Sequence, residues 1–298
     1  MRITNRFNLP DAIYNAAKAF GHYGHLPDRI SVTQLIQPPQ MRRLCFLHDD
    51  EIEEDAMDRI WAIFGTAVHV VLDKAAIDNA FTEETLTTEC LGWTVTGRPD
   101  LYDAGDVLSD YKCTSAYSLI LGDKVEWEQQ LNLYRILYAR HSLYAKKLQI
   151  VAILRDWSAS KARQGGDYPA QPVQVVNVPM WPMDHAENFL ATRVALHQGA
   201  MKDEYPPCTP TERWEKPTKW AVYKNQNKRA DRVFEAAGDA EGRAMELAAA
   251  GQKARIEVRP GESTRCASYC RARPFCLQAM AMPEIPNAES EDAQLTLS

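Results

Sequence analysis

At 298 residues, with 45% apolar and 25% charged positions, the chain is too long and too apolar for a disordered protein, and it suffices for one large domain or a core with a smaller lobe. No run nears the roughly eighteen consecutive apolar residues of a membrane helix. The start, MRITNRFNLPDAIYNAAKAF, lacks a secretory cleavage pattern, so a cytoplasmic location without membrane contact is expected. The net charge of −6 does not advertise nucleic-acid binding, yet an acidic whole can carry basic patches.

In chain order, the pattern predicts a helix from Pro10 to Phe20 and a short capped helix from Ser31, stopped by Pro38-Pro39. The segment Met57 to Ala76 is apolar nearly all round and predicts a buried helix. From Glu84 to Cys113 the pattern turns to strands, starting near Thr85, Trp93 and Val107 and separated by turn residues, as in a meander. Val125 to Tyr144 returns to helical spacing, with Leu131, Tyr134, Leu137 and Tyr138 on one stripe. Strands follow at Leu148 and Val173, then helices over 183–203 and 233–251. The order implies an α/β sandwich with a mixed sheet. Three regions are expected: a core over 1–205 with its N-terminal helical segment, a basic and cysteine-rich lobe over 206–283, and a disordered polar tail over 284–298.

The middle of the chain carries the chemistry. Asp110-x-Lys112 alone means little, since about four or five acid-x-base triplets arise by chance at this composition. On a strand, however, both side chains emerge on one face. Asp100 ends the preceding strand of the expected hairpin and can lie beside them. Two carboxylates and an ammonium suit a hard divalent cation and an attacking water; a cross-strand ion pair is the plainer alternative. Gly65 and His69 share a helical face, so the small residue lets another backbone approach and leaves room for the imidazole. His69 is either a core residue or a metal ligand. Gln130 and Tyr134 share another face, either half-buried or presented to a phosphate or base.

The series Gly65-x3-His69, Gly97-x2-Asp100 with Pro99-Asp100, Asp110-x-Lys112 and Gln130-x3-Tyr134 resembles the RecB-type branch of the PD-(D/E)XK nucleases in order and spacing. The resemblance covers roughly 30–155 as nuclease core. The segments SVTQLIQPPQMR from Ser31 and PCTPTERW from Pro207 extend it toward phage-encoded members. It implies that Asp100 and Asp110, with the Tyr111 carbonyl and His69, hold Mg²⁺ or Mn²⁺. Lys112 would orient or activate the water, and Gln130 and Tyr134 would position DNA.

Seven cysteines in a reducing compartment argue against a disulfide framework. Cys266, Cys270 and Cys276 form a run expected by chance only about 0.004 times in this length. Three thiolates are one short of the set that zinc or a 4Fe–4S cluster takes. Cys208, on a loop stiffened by Pro206-Pro207, and Cys45 are the candidates for the fourth. Related nucleases with a late cysteine triplet place the fourth before the core, which favours Cys45; the phage-like segment and the stiff loop favour Cys208, which is the expected fourth ligand. The resemblance, not the spacing, implies iron–sulfur rather than zinc.

Between these cysteines, Lys219, Trp220, Tyr223, Lys224, Lys228 and Arg229 interleave basic and aromatic groups, as a DNA-contacting segment or as a solvated loop. The resemblance implies a DNA exonuclease acting on linear duplex or single strands in recombination or repair, with a recombination annealing protein as a candidate partner. An endonuclease of the same chemistry and a catalytically silent DNA-binding module are the alternatives.

Overall fold

The computed structural model describes residues 1–19, 28–75, 80–82, 84–120 and 124–282; the tail expected over 284–298 lies outside them. The chain divides into two compact units, Met1–Pro206 and Pro207–Ser298.

The first unit runs β1 (Arg2–Thr4), α1 (Asp11–Ala19), β2 (Arg29–Ser31), α2 (Val32–Leu35), α3 (Pro39–Leu47) and β3 (Glu53–Asp55), then a 3₁₀ turn at Ala56–Arg59 and α4 (Ile60–Asp73). Next come β4 (Phe81–Thr82), β5 (Leu86–Cys90), β6 (Trp93–Gly97), β7 (Leu101–Tyr102), β8 (Val107–Thr114), α5 (Ala116–Ile120), α6 (Val125–Arg140), β9 (Lys147–Leu154), α7 (Ala159–Gln164), β10 (Val173–Val178) and α8 (Met183–Ala200). Five strands form a mixed sheet in the order β10-β9-β8-β7-β4. Within it only β8 and β9 are parallel. Their parallel pairing needs a long crossover, which α5 and α6 supply. A second sheet, β2-β6-β5, joins a parallel pair to a hairpin. The fold is therefore mixed α/β, as the pattern of elements implies.

Local chemistry explains the boundaries. Ser31 and Gln34 cap α2 reciprocally, each side chain bonding the other's backbone N–H. In β9, KLQIVAIL, the residues of one face, Leu148, Ile150, Ala152 and Leu154, are buried. Helix α6 is buried on more than the expected stripe: Leu133 and Ile136 are as inaccessible as Leu131 and Leu137. It contacts both β5 and the β8–β9 pair, so it is covered from two sides. Fully burying each such side chain contributes about 1.5–3 kcal/mol before entropy is counted.

Two expectations are corrected here. The three strands from Glu84 do not form one meander. β5 pairs with β6 and β7 with β8, but β6 and β7 belong to different sheets. Pro99 lies between them and has no N–H to extend a ladder. Asp100 consequently sits in the bend before β7 rather than at a strand end. The second correction concerns α4, which has no buried residue. Trp61, Val70 and Val71 are about half exposed or more, at 55%, 48% and 68%. An apolar composition all round a helix cannot say which face the tertiary structure covers.

The second unit contains β11 (Glu215–Lys216), β12 (Lys219–Lys224), β13 (Arg232–Phe234), α9 (Ala237–Ala249), β14 (Ala254–Arg259), β15 (Glu262–Ser263), α10 (Thr264–Ser268) and α11 (Leu277–Met280). β13-β12-β14 form an antiparallel sheet, and β11 pairs with β15. Val222, Ala240 and Leu247 make a small core, with Trp220, Phe234 and Ile256 against it. The helix expected over 233–251 is shorter, because Arg232–Phe234 is a strand.

Candidate active site

The site is built where β7 is too short to cover β8. The register Leu101↔Ser109 and Tyr102↔Leu108, continued one step, sets Asp100 opposite Asp110. The edge of β8 beyond that point has no β7 residue beside it. Asp100 supplies the missing acceptor: its Oδ2 takes the Tyr111 backbone N–H at 2.6 Å. Its other oxygen lies 3.0 Å from His69 Nδ1, reached from α4. This hydrogen bond raises the His69 pKa above the ordinary imidazole value.

Asp110 is buried at 3% exposure. Its Oδ1 accepts from Gln130 Nε2 at 3.0 Å, and the same amide donates to the Tyr134 hydroxyl at 3.0 Å. Its Oδ2 lies 2.5 Å from Lys112 Nζ but has no aligned hydrogen bond. Burial holds the Asp110 carboxyl above the usual range; the Lys112 charge opposes this and Asp100 adds to it. Two buried carboxylates facing one another, one of them paired with the Lys112 ammonium, make an oxygen donor set that fits a divalent cation. Among the described residues no three His, Cys, Asp or Glu side chains are already arranged as a metal cage.

His69, Asp100, Asp110, Lys112, Gln130 and Tyr134 thus form one connected set through these contacts. Gln130 and Tyr134, at 5% and 3% exposure, stand behind Asp110 rather than on the surface where DNA contact was expected. Gly97 also belongs to this arrangement. A Cβ there would come within 2.7 Å of Leu137 Cδ2 and 2.8 Å of the Tyr134 ring, so glycine lets the end of β6 reach α6. A Cβ at Gly65 would meet nothing within 4 Å, which corrects the expectation of a close approach at that position.

In the second unit, Cys208, Cys266, Cys270 and Cys276 lie close enough to influence one another. Burial first, then Glu212 and the other three thiols, push the Cys208 thiol up to about 12. Burial likewise raises Cys266 and Cys270, with contributions from their cysteine neighbours. Gln278 fixes the Cys208 backbone on both sides: its Oε1 accepts the N–H at 2.8 Å and its Nε2 donates to the carbonyl at 2.9 Å. Cys45 lies on α3 in the first unit.

The basic segment is placed less openly than expected. Trp220 packs against the small core, and Lys219 pairs with Glu235 at 3.6 Å. Tyr223 is buried, its ring under Arg255 at 3.8 Å and its hydroxyl taking a bond from Arg259 at 2.8 Å. Lys224 ends β12 half-buried, while Lys228 and Arg229 are exposed in the turn beyond it. Sequence reasoning missed Gly97's packing role and β14, whose Arg255, Glu257 and Arg259 engage Tyr223.

No curated protein is significantly similar to this chain. Among solved structures, SSO0001 is similar at 18% identity and a TM-score of 0.43, over 68% of this chain and 89% of that one. A structure from Eubacterium rectale named as an exonuclease is similar at 13% identity and a TM-score of 0.31, over 51% of this chain and 55% of that one. The family model of the PD-(D/E)XK nuclease superfamily matches residues 41–277, which include every residue of the set described above. The chain belongs to the PD-(D/E)XK nuclease superfamily.

Proposed function

We propose that this chain is a metal-dependent DNA exonuclease of the RecB-type branch, phage-encoded and acting in recombination or repair. The observation that carries the catalytic reading is the convergence of Asp100, Asp110 and Lys112 at one sheet edge, with His69 on Asp100 and Gln130 on Asp110. Asp100, Asp110, the Tyr111 carbonyl and His69 would hold Mg²⁺ or Mn²⁺. When bound, the cation supplies an acidified water and neutralises charge on the scissile phosphate. Lys112 adds a positive charge at the phosphoryl oxygens as they become more negative. Gln130 keeps Asp110 in one rotamer, so the carboxylate is set before substrate arrives.

The sequence resemblance supports the exonuclease and phage readings. Cys208, Cys266, Cys270 and Cys276 would bind a 4Fe–4S cluster, with zinc as the alternative; the Gln278 clamp and membership of the same unit as the triplet favour Cys208 over Cys45. Basic residues of the second unit, including Lys224, Lys228 and Arg229, would contact DNA.

The test is digestion of end-labelled linear duplex and closed circular DNA with Mg²⁺ or Mn²⁺. Stepwise shortening of the linear substrate with intact circles is expected, and Asp110→Ala should abolish it. Cutting of closed circles would replace exonuclease by endonuclease, and full activity in purified Asp110→Ala protein would overturn the catalytic assignment.

A further inference from the structure

The cysteine-bearing unit exposes an aromatic and cationic group that the nuclease site does not use. Residues 209–214 form a single turn. Thr209 opens it, its hydroxyl accepting the Glu212 N–H at 3.2 Å while the Glu212 carboxylate accepts the Thr209 N–H at 3.0 Å. Trp214 closes it with its N–H bonded to Thr211 O at 3.0 Å and a φ of 52°. That left-handed conformation suits glycine or asparagine and is disfavoured for a bulky residue. The tryptophan nevertheless stands here and remains 38% exposed.

Two further side chains assemble on it. The Arg265 guanidinium carbon lies 4.0 Å from the Trp214 ring centre, and Arg265 Nη1 is fixed to Glu212 O at 2.8 Å. Tyr269 meets the Trp214 ring edge-on, with centroids 5.5 Å apart, and is 67% exposed. Arg271 and Arg273 are exposed just beyond. The surrounding charge favours an anionic partner. Residues 207–282 carry fourteen Lys and Arg against nine Asp and Glu, whereas residues 1–206 carry twenty against twenty-seven. Packing alone accounts for the Arg265–Trp214 contact. It does not account for a tyrosine left two-thirds in water beside a half-open indole. Exposed rings interleaved with guanidinium groups suit unpaired bases, which stack on the rings while the cations meet phosphate.

We propose that Trp214, Arg265 and Tyr269 form a stacking platform for an unpaired base of single-stranded DNA, with Arg271 and Arg273 beside the flanking phosphates. The proposal rests on nucleic acid being the substrate and names which residues of the second unit hold a separated strand.

The test is equilibrium binding by the full-length protein, with no divalent cation added, of a fluorescent oligothymidylate and an abasic strand of equal length. Trp214→Gly removes the ring and suits the positive φ; Tyr269→Ala removes a mostly exposed side chain. Each should weaken oligothymidylate binding by roughly tenfold and leave the abasic strand unchanged. Arg265→Lys should lose part of the same preference, because it keeps charge but not the flat guanidinium. Equal losses on both strands, or no loss, would overturn the platform while leaving the nuclease reading intact. Wild-type protein that binds neither strand would overturn both.

Discussion

Gln130 shows how one side chain can be given two different jobs by two kinds of reasoning. Its spacing from Tyr134 points outward, to a base or phosphate; its contacts point inward, to Asp110 Oδ1 at 3.0 Å. Hydrogen bonds to charged groups contribute roughly 1.5–3 kcal/mol, or about ten- to a hundredfold in rate if that order is needed only at the transition state. Gln130→Ala should therefore lower kcat by about that factor with little change in DNA affinity measured without metal. A large rise in Kd with kcat preserved would return Gln130 to the DNA surface. A second residue-scale prediction concerns His197, fully buried on α8 with Nε2 3.1 Å from Leu35 O. Burial, and then the Arg193 charge, hold its pKa down to about 3. The neutral ring is the folded form, with Nε2–H donating. As pH falls below about 6.5 the unfolded chain takes up a proton that the folded chain refuses until about pH 3. Stability should fall across that window, by on the order of 3 kcal/mol at pH 4. Urea midpoints measured from pH 7 to pH 4 check this. His197→Gln should flatten the slope, and an unchanged slope would place the acid sensitivity elsewhere.

At the scale of elements, two glycines in similar motifs play opposite parts. Gly97 admits Leu137 and Tyr134 against the end of β6, whereas Gly65 lies in a helix with open space around its Cα. Gly97→Ala should cost about 1–3 kcal/mol through overpacking and should cut activity further, because the displaced Tyr134 shares the Gln130 amide. Gly65→Ala should stabilise the protein by roughly 0.5–1 kcal/mol, since alanine is the better helix former. Thermal midpoints with parallel cleavage assays separate the two; equal destabilisation would mean that Gly65 is also packed. The same comparison shows what was legible in the sequence. The order His69, Asp100, Asp110-x-Lys112, Gln130 could be read because four motifs in order resemble one family's series, although each alone is common by chance. The strands at Val107, Leu148 and Val173 could be read from their apolar patterning. The coverage of α4 could not, because periodicity reports faces and not neighbours. Nor could Trp220's place in the small core, since a basic, aromatic segment reads alike as a binding loop and as a strand with one packed face. The chain leaves β6 for β7 past Gly97, which lets β6 reach α6, and Pro99, which has no N–H to extend a ladder; the first of these appears only once α6 is in place.

At the scale of the molecule, charge and cysteines separate along the chain. The acidic residues concentrate in the unit that holds the carboxylates, and the basic excess lies in the unit that holds Cys208 and the late triplet. The second unit's packed cluster is small, Val222, Ala240 and Leu247 with a few half-buried neighbours, and most of its other buried residues, such as Ala221, Ala272, Cys276 and Ala279, are small. Such a core needs another source of stability, and thiolates closing a long loop around a metal are an effective one, because the order is lost with the metal. If Cys208, Cys266, Cys270 and Cys276 share a 4Fe–4S cluster, the purified protein should be brown, with broad absorption near ~400 nm. Cys208→Ser should then bleach it, open residues 207–282 to limited proteolysis and weaken DNA binding, while Cys45→Ser changes none of these. The reverse pattern would make Cys45 the fourth ligand. A colourless protein carrying one equivalent of zinc would keep the staple and exchange the metal. Protein with neither metal, still resistant to proteolysis over 207–282, would mean that the Gln278 clamp on Cys208 and the β12 sheet suffice, and that the four thiols are neighbours without a shared ion.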